Sequence, residues 1–410
     1  MKFRNSNRLR PALFGCTVFA LIAAPLVLFA QSNPVADPRR QEALALEQQG
    51  KSAAAELTWK EILKAHPANP ETMAHIGLLE ARQGHYKEAI PYYRRALSIT
   101  PGVQSLRVDL ALALFKSGQL KEAIPEFEAL RKNAVPNSPD AQRSTVLIGM
   151  AYYGLADYPH AATYLKEAAE ADPNNLELLL ALDHSYLWSR QFKYVLDVYH
   201  QILSLDPDSA QADMIAGEAL DEMKDNAGAT EMFRAAVKAD PKQPNAHFAL
   251  GYLLWTQKQY PEAAGEFQAE VANDPNHVQA LVYLADADIQ MNQIDAAEPL
   301  LKNVLKLDPT VPLAHLDLGI VASENGRNDE ALREYLLAAK KMPNDVNVHW
   351  RLARLYRTMG RKDEAKAEFD KASTLNKQAD DDLYNKIQES GKRPPPQQRA
   401  PAAAPPQSEP

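Results

Sequence analysis

Prolines recur along this chain of 410 residues at a fixed interval. Pro67 and Pro101 are 34 residues apart, and Pro139, Pro173, Pro207, Pro241, Pro275, Pro309 and Pro343 keep the same step after a single 38-residue gap. The phrases around them echo one another: "ADPNN" at 171–175 returns as "LDPDS" at 205–209, "ADPKQ" at 239–243 and "NDPNH" at 273–277. A strict period of about 20–50 residues calls for small supersecondary units that stack, each resting on its neighbours. Length is then no guide to domain number, because such an array grows by addition.

With the proline at position 32 of a 34-residue repeat, repeats begin at residues 36, 70, 104, 142, 176, 210, 244, 278, 312 and 346. Position 20 is Ala55, Ala89, Ala123, Ala161, Val195, Ala229, Ala263, Ala297, Ala331 and Ala365. Position 24 is always large and apolar, as in Trp59, Tyr93, Phe127, Tyr199, Phe233, Phe267 and Tyr335. Position 8 is small, as in Gly77, Gly149, Gly217, Gly251 and Gly319, with Asp183 as the exception. Within a repeat such as 245–275, apolar residues fall at helical spacing in two blocks around a short polar turn, so each repeat reads as an antiparallel helix pair. The small residues let two backbones approach, and Asp-Pro ends the second helix because a residue before proline avoids helical angles.

These columns resemble the tetratricopeptide repeat (TPR) family, over residues 36 to about 377. The resemblance implies an all-α fold, a right-handed superhelical solenoid of about ten TPR helix pairs. It also implies an exported bacterial protein made of TPRs alone, because of the segment that precedes the repeats. Residues 1–30 carry Lys2, Arg4, Arg8 and Arg10 and no acid, then an apolar run from Ala12 to Ala30 and the polar "QSNP". This order of features is that of a signal peptide, or of an uncleaved inner-membrane anchor if the run is retained. In both cases the repeats are expected outside the cytoplasm, periplasmic or secreted, with membrane contact only through residues 12–30.

Removing the four basic residues would take the net charge from −8 to −12. An acidic chain lacks the basic face a nucleic-acid binder needs. The single cysteine, Cys16, lies in the apolar run, so the repeats hold no disulfide, thiol nucleophile or Cys-ligated metal. Residues 378–391 read as a C-terminal cap helix, and residues 392–410, rich in Pro, Ala and Gln, as a disordered tail. No segment is left over for a catalytic domain, and no G-x-S-x-G, phosphate-loop or H-E-x-x-H motif occurs. His247, His315 and His349 all fall at position 4 of their repeats, a spacing that reflects the repeat and reads as packing. No catalytic residue, metal site or cofactor is therefore expected.

The resemblance further implies a concave surface built from the first helix of each repeat, at positions 2, 5, 6, 9, 12 and 13. Those positions hold His184 and Trp188 in the fifth repeat, Met214, Glu218, Asp221 and Glu222 in the sixth, Phe248, Tyr252 and Trp255 in the seventh, and Tyr283 and Asp286 in the eighth. In the tenth they hold Trp350, Arg351, Arg354 and Arg357, expected to form a basic patch. Aromatic rings supply contact area and acids select a basic or hydroxyl-rich partner. The function expected is a non-enzymatic protein–protein interaction scaffold that takes an extended peptide or partner protein in the groove, in envelope assembly or export. The alternative is a glycan-binding module of a polysaccharide export system. The two-carboxylate clamp of chaperone-binding TPRs is not matched in any three successive repeats.

Overall fold

The computed structural model describes residues 37–391, with side chains to residue 382. The expected leader at 1–30 and tail at 392–410 lie outside the described residues. Every regular element among the described residues is an α-helix, and the helices form two compact units, Met1–Gln243 and Pro244–Pro410. In the first unit the pairs are α1 (Arg39–Gln48) with α2 (Ser52–Ala65), α3 (Pro70–Arg82) with α4 (Tyr86–Ile99), and α5 (Gln104–Lys116) with α6 (Leu120–Asn133). They continue with α7 (Pro139–Gly154) and α8 (Tyr158–Ala171), α9 (Leu176–Trp188) and α10 (Phe192–Leu205), and α11 (Ala210–Glu222) and α12 (Asn226–Ala239). The second unit pairs α13 (Ala246–Thr256) with α14 (Tyr260–Asn273), α15 (Val278–Gln290) with α16 (Ile294–Leu307), α17 (Pro312–Glu324) with α18 (Asn328–Lys341), and α19 (Val346–Thr358) with α20 (Lys362–Gly391). Each unit is thus an all-α solenoid of antiparallel helix pairs in chain order.

The columns read from sequence are the seams of these pairs. Position 20 is buried in all ten repeats, and position 24 in all but the last, where Phe369 is half-buried. The position-24 ring lies on the position-8 glycine of its own repeat. A Cβ built on Gly77 would stand 2.7 Å from Cε1 of Tyr93, and one on Gly217 would stand 2.5 Å from Cε1 of Phe233. The contact closes the ring's own helix pair. The aspartates before proline behave as expected: Asp172 (φ −135°, ψ 76°) and Asp206 (φ −137°, ψ 88°) leave the helical region and end α8 and α10.

Position 4 of several repeats is stapled to position 23 of the same repeat. In the first unit Arg107 meets Glu126 at 2.8 Å; in the second His247, His315 and His349 meet Glu266, Glu334 and Glu368 through Nδ1 at 2.6, 2.7 and 2.5 Å. The three histidines therefore tie first helix to second, the packing role their spacing suggested.

Two local departures follow from sequence. Pro244 and Asn245 (φ 65°) delay the start of α13, and Glu270 of α14 accepts the Asn245 and Phe248 backbone N–H groups at 3.1 and 3.2 Å. These are orphan donors of the helix start, met from another helix. At the other end, the expected separate cap helix over 378–391 does not exist. Lys377 stands where earlier repeats have their proline, nothing breaks the hydrogen-bond ladder, and α20 runs unbroken for 30 residues.

Candidate binding surfaces

In the first unit, Trp188 at the end of α9 is 50% exposed, which is unusual for so large an apolar ring. It is held by its neighbours: its indole N–H donates to His184 Nε2 at 2.9 Å, and Tyr158 stacks on it at 6.0 Å between centroids. Tyr153 and Tyr158 both meet His184 edge-on, at 5.5 and 5.6 Å. His184 Nδ1 is buried without a hydrogen-bond partner, and burial pushes the imidazole down to about 4, so the ring is neutral and its Nε2 accepts from Trp188. The sequence reading named His184 and Trp188 but missed Tyr153 and Tyr158. Tyr153 occupies position 12 of the fourth repeat, one of the groove positions, and was the legible signal.

On α11, the sixth-repeat candidates divide. Met214 is 7% exposed and packs inside, which corrects its placement on the surface. Glu218 and Asp221 are half-buried, and Glu222 is exposed and paired with Arg190 at 3.1 Å. Removal from water, and then the charges of Asp221 and Glu222, push Glu218 up to about 7.

The second unit gathers the other aromatic residues. Tyr252 and Trp255 on α13 stack at 6.1 Å, and Tyr283 on α15 meets both edge-on, at 5.3 and 5.1 Å. Phe248 is 4% exposed and lies under this cluster, 6.1 Å from Tyr283, so it supports the rings and does not present a face. Position 5 is a packing position, and Met214, Phe248, Val282 and Leu316 are all buried there. The Trp255 indole N–H donates to Asp286 Oδ2 at 2.5 Å, and Gln290 reaches Asp286 Oδ1 at 3.4 Å. Burial raises the Asp286 carboxyl, while those two hydrogen bonds and Arg351 act to lower it.

The three arginines of the tenth repeat do not form one basic patch. Arg354 lies over Trp350 at 4.8 Å, Arg357 lies over Phe369 at 5.8 Å, and half-buried Arg351 faces the acids Asp286 and Asp317. They sit at positions 9, 12 and 6, which point to different neighbours. Trp350 is 43% exposed although it occupies the packing position 5, because among the described residues no further helix pair covers the tenth repeat.

Asp317, which the sequence reading did not single out, completes this site. It occupies position 6 of the ninth repeat, between Tyr283 and Arg351 in the same column. Its side chain is buried and neither carboxyl oxygen has a hydrogen-bond partner, so desolvation holds the acid well above the usual carboxylate range. The 34-residue ladder Tyr283, Asp317, Arg351 was legible in the sequence once position 6 was followed down the array.

Helix pairs stacked in chain order, with aromatic and acidic residues on their first helices, define a helical-repeat interaction scaffold. The chain belongs to the tetratricopeptide repeat family. Tetratricopeptide repeat matches cover residues 40–103, 80–144, 143–175, 192–244, 216–278, 284–346 and 324–389. Members of this family are generally non-enzymatic scaffolds for protein–protein interaction. Among curated proteins, the chain is 22% identical over 242 residues to "BBSome complex member BBS4" of Bos taurus, covering 59% of this chain and 45% of that protein. It is 20% identical to "DnaJ homolog subfamily C member 7 homolog" of Dictyostelium discoideum, covering 72% of this chain and 60% of that protein. The chain thus spans less than two thirds of these relatives. Among solved structures, "YrrB: a TPR protein with an unusual peptide-binding site" aligns with 17% identity over 46% of this chain and 97% of its own, TM-score 0.38. The "APC/C hetero-tetramer Cut9-Hcn1" aligns with 14% identity over 82% of this chain and 86% of its own, TM-score 0.38.

Proposed function

We propose that this protein is a scaffold that binds an extended peptide segment of a partner along the first-helix faces of its repeats, outside the cytoplasm. The observation that carries the reading is the Tyr252–Trp255–Tyr283 cluster backed by Asp286: rings arranged edge-on and stacked, with a buried acid fixed behind them by the Trp255 N–H. Rigid aromatic residues give large contact area at low entropic cost, and such groups concentrate binding energy. The exposed Trp188 with its Tyr158 and His184 supports offers a second anchor in the first unit. The placement outside the cytoplasm is supported by the basic and then apolar order of residues 1–30 and the polar "QSNP" that follows.

Binding is tested by panning a randomised peptide display library against the wild-type chain, then titrating the selected peptides against Trp188→Ala and Tyr252→Ala, each checked for folding by circular dichroism. Selected peptides should lose affinity on at least one variant. Peptides that bind both variants as well as the parent would place recognition on another face. Location is tested by fractionation and by protease accessibility of the tagged chain in intact cells; protection equal to that of a cytosolic control would refute export.

A further inference from the structure

The polar ladder of the second unit has an uneven charge. Asp286 and Asp317 are both buried, and the cation that acts on both is Arg351, whose Nε donates to Asn347 at 3.2 Å. Neither acid forms an ion pair closer than 4.0 Å among the described residues. Two carboxylates against one guanidinium leave one negative charge to be matched, and in a buried site that charge is matched by a proton or by another cation. Asp286 has its hydrogen bonds from Trp255 and Gln290, whereas both Asp317 oxygens have none. An unsatisfied buried carboxyl is costly, so a native site that retains one needs a reason.

The surroundings suit a cation. The half-buried Tyr252 and Trp255 rings offer negative π-faces beside the acids, with the buried Tyr283 edge-on to both, and aromatic faces with carboxylates are the chemistry that recognises ammonium and guanidinium groups. The ionisable groups that face Asp317 are Asp286 and Tyr283 from α15 and Arg351 from α19. Tyr335 of α18 faces Arg351 in turn, and among the described residues no ionisable group of α16 or α18 acts on Asp317 directly.

We propose that this face of repeats seven to nine is a subsite for one basic side chain, arginine or lysine, of an extended peptide, taken against the Tyr252 and Trp255 rings and onto the Asp286–Asp317 carboxyl pair. The inference rests on reading the same face as a peptide-binding surface. The entering cation takes the place of the proton on Asp317, which passes to solvent, so the net charge of the site is conserved. Binding of a basic peptide is then linked to proton release and strengthens with pH for as long as Asp317 holds its proton in the free chain.

The test uses the full chain and four labelled heptapeptide pools, each randomised at three positions on either side of a fixed arginine, lysine, norleucine or glutamate. The arginine and lysine pools should bind at least about tenfold more tightly than the norleucine pool, the gain expected of one charge-assisted contact. Asp317→Asn should remove that preference, and Asp286→Asn, which keeps the shape and an acceptor for Trp255, should reduce it. For a peptide resynthesised from the tightest pool, calorimetry in two buffers of different ionisation enthalpy should report proton release. Equal binding of all four pools would overturn the cation subsite and leave the peptide-binding reading standing. Failure of every pool to bind would overturn both. A preference that survives in both variants would put the cation elsewhere, and binding without proton release would remove Asp317 from the exchange.

Discussion

The indole nitrogen of Trp255, on the seventh repeat, donates to the carboxylate of Asp286, on the eighth, at 2.5 Å. The bond crosses from one helix pair to the next, so the residue that looks most like a ligand-contacting aromatic is also part of the seam between repeats. Trp188, at the neighbouring position 13 of its own repeat, is half exposed, and its indole N–H donates to His184 on its own helix.

The two tryptophans should therefore respond differently to substitution. Trp188→Ala is expected to weaken peptide binding with little change in Tm. Trp255→Phe keeps the ring but leaves Asp286 Oδ2 without its donor, and should cost about 1–3 kcal/mol of stability. Thermal melts of the two variants, run beside peptide titrations, separate the roles; a large Tm loss in Trp188→Ala would mark it as core.

Gly217 is held small by the Phe233 ring across its helix pair, 2.5 Å from where a Cβ would stand. Gly217→Ala should destabilise by about 1–3 kcal/mol through overpacking, despite alanine's better helix propensity. A chemical-denaturation midpoint equal to or above that of the parent would show that the ring can retreat at no cost.

Asp183 fills the position-8 slot with a buried carboxyl that has no partner, and burial pushes it up to about 8. The folded protein keeps this proton where the unfolded chain, with an ordinary carboxyl, has lost it. The associated stability is full below about pH 4 and is lost as pH rises towards 8. Asp183→Asn escapes that loss, so its stability advantage over the parent should grow from pH 5 to pH 8 by a few kcal/mol, read as a widening gap in Tm. Parallel melts across that range check it, and a constant difference would mean the carboxyl is not buried uncharged.

Lys377→Pro restores the punctuation that ends the second helix of earlier repeats. Residues 376–382 are exposed, so the substitution should remove helical signal from 378–391 without lowering the Tm of the array. Circular dichroism and amide exchange report the two quantities separately; a fall in Tm would show that the extension packs on the repeats.

The repeats were legible because their seams use the same residues each time: Ala at position 20 and a ring at position 24 are selected by one contact, repeated in chain order. The unbroken α20 was legible too, since Lys377 stands where earlier repeats have their proline. The binding surfaces were legible only by position. Met214 and Phe248 share a position with Trp350, yet the first two are covered and the last is exposed, because cover depends on the adjoining repeat. Arg351, Arg354 and Arg357 look alike in sequence, and only the side chains around them, two acids and two rings, separate their roles.

The turn between the two helices of each repeat adds a further consequence. Its position 15 takes a left-handed conformation in every repeat: glycine serves at 50, 84, 118, 326 and 360, but Ala156, Arg190, Lys224, Lys258 and Asn292 serve in repeats four to eight. A side chain forced into that region costs about 1–2 kcal/mol, less for asparagine. The turns that cost least thus belong to repeats one to three, nine and ten, and the costlier ones to repeats four to eight. Local backbone preference works against five consecutive turns, and the packing of each helix pair has to hold its own turn closed.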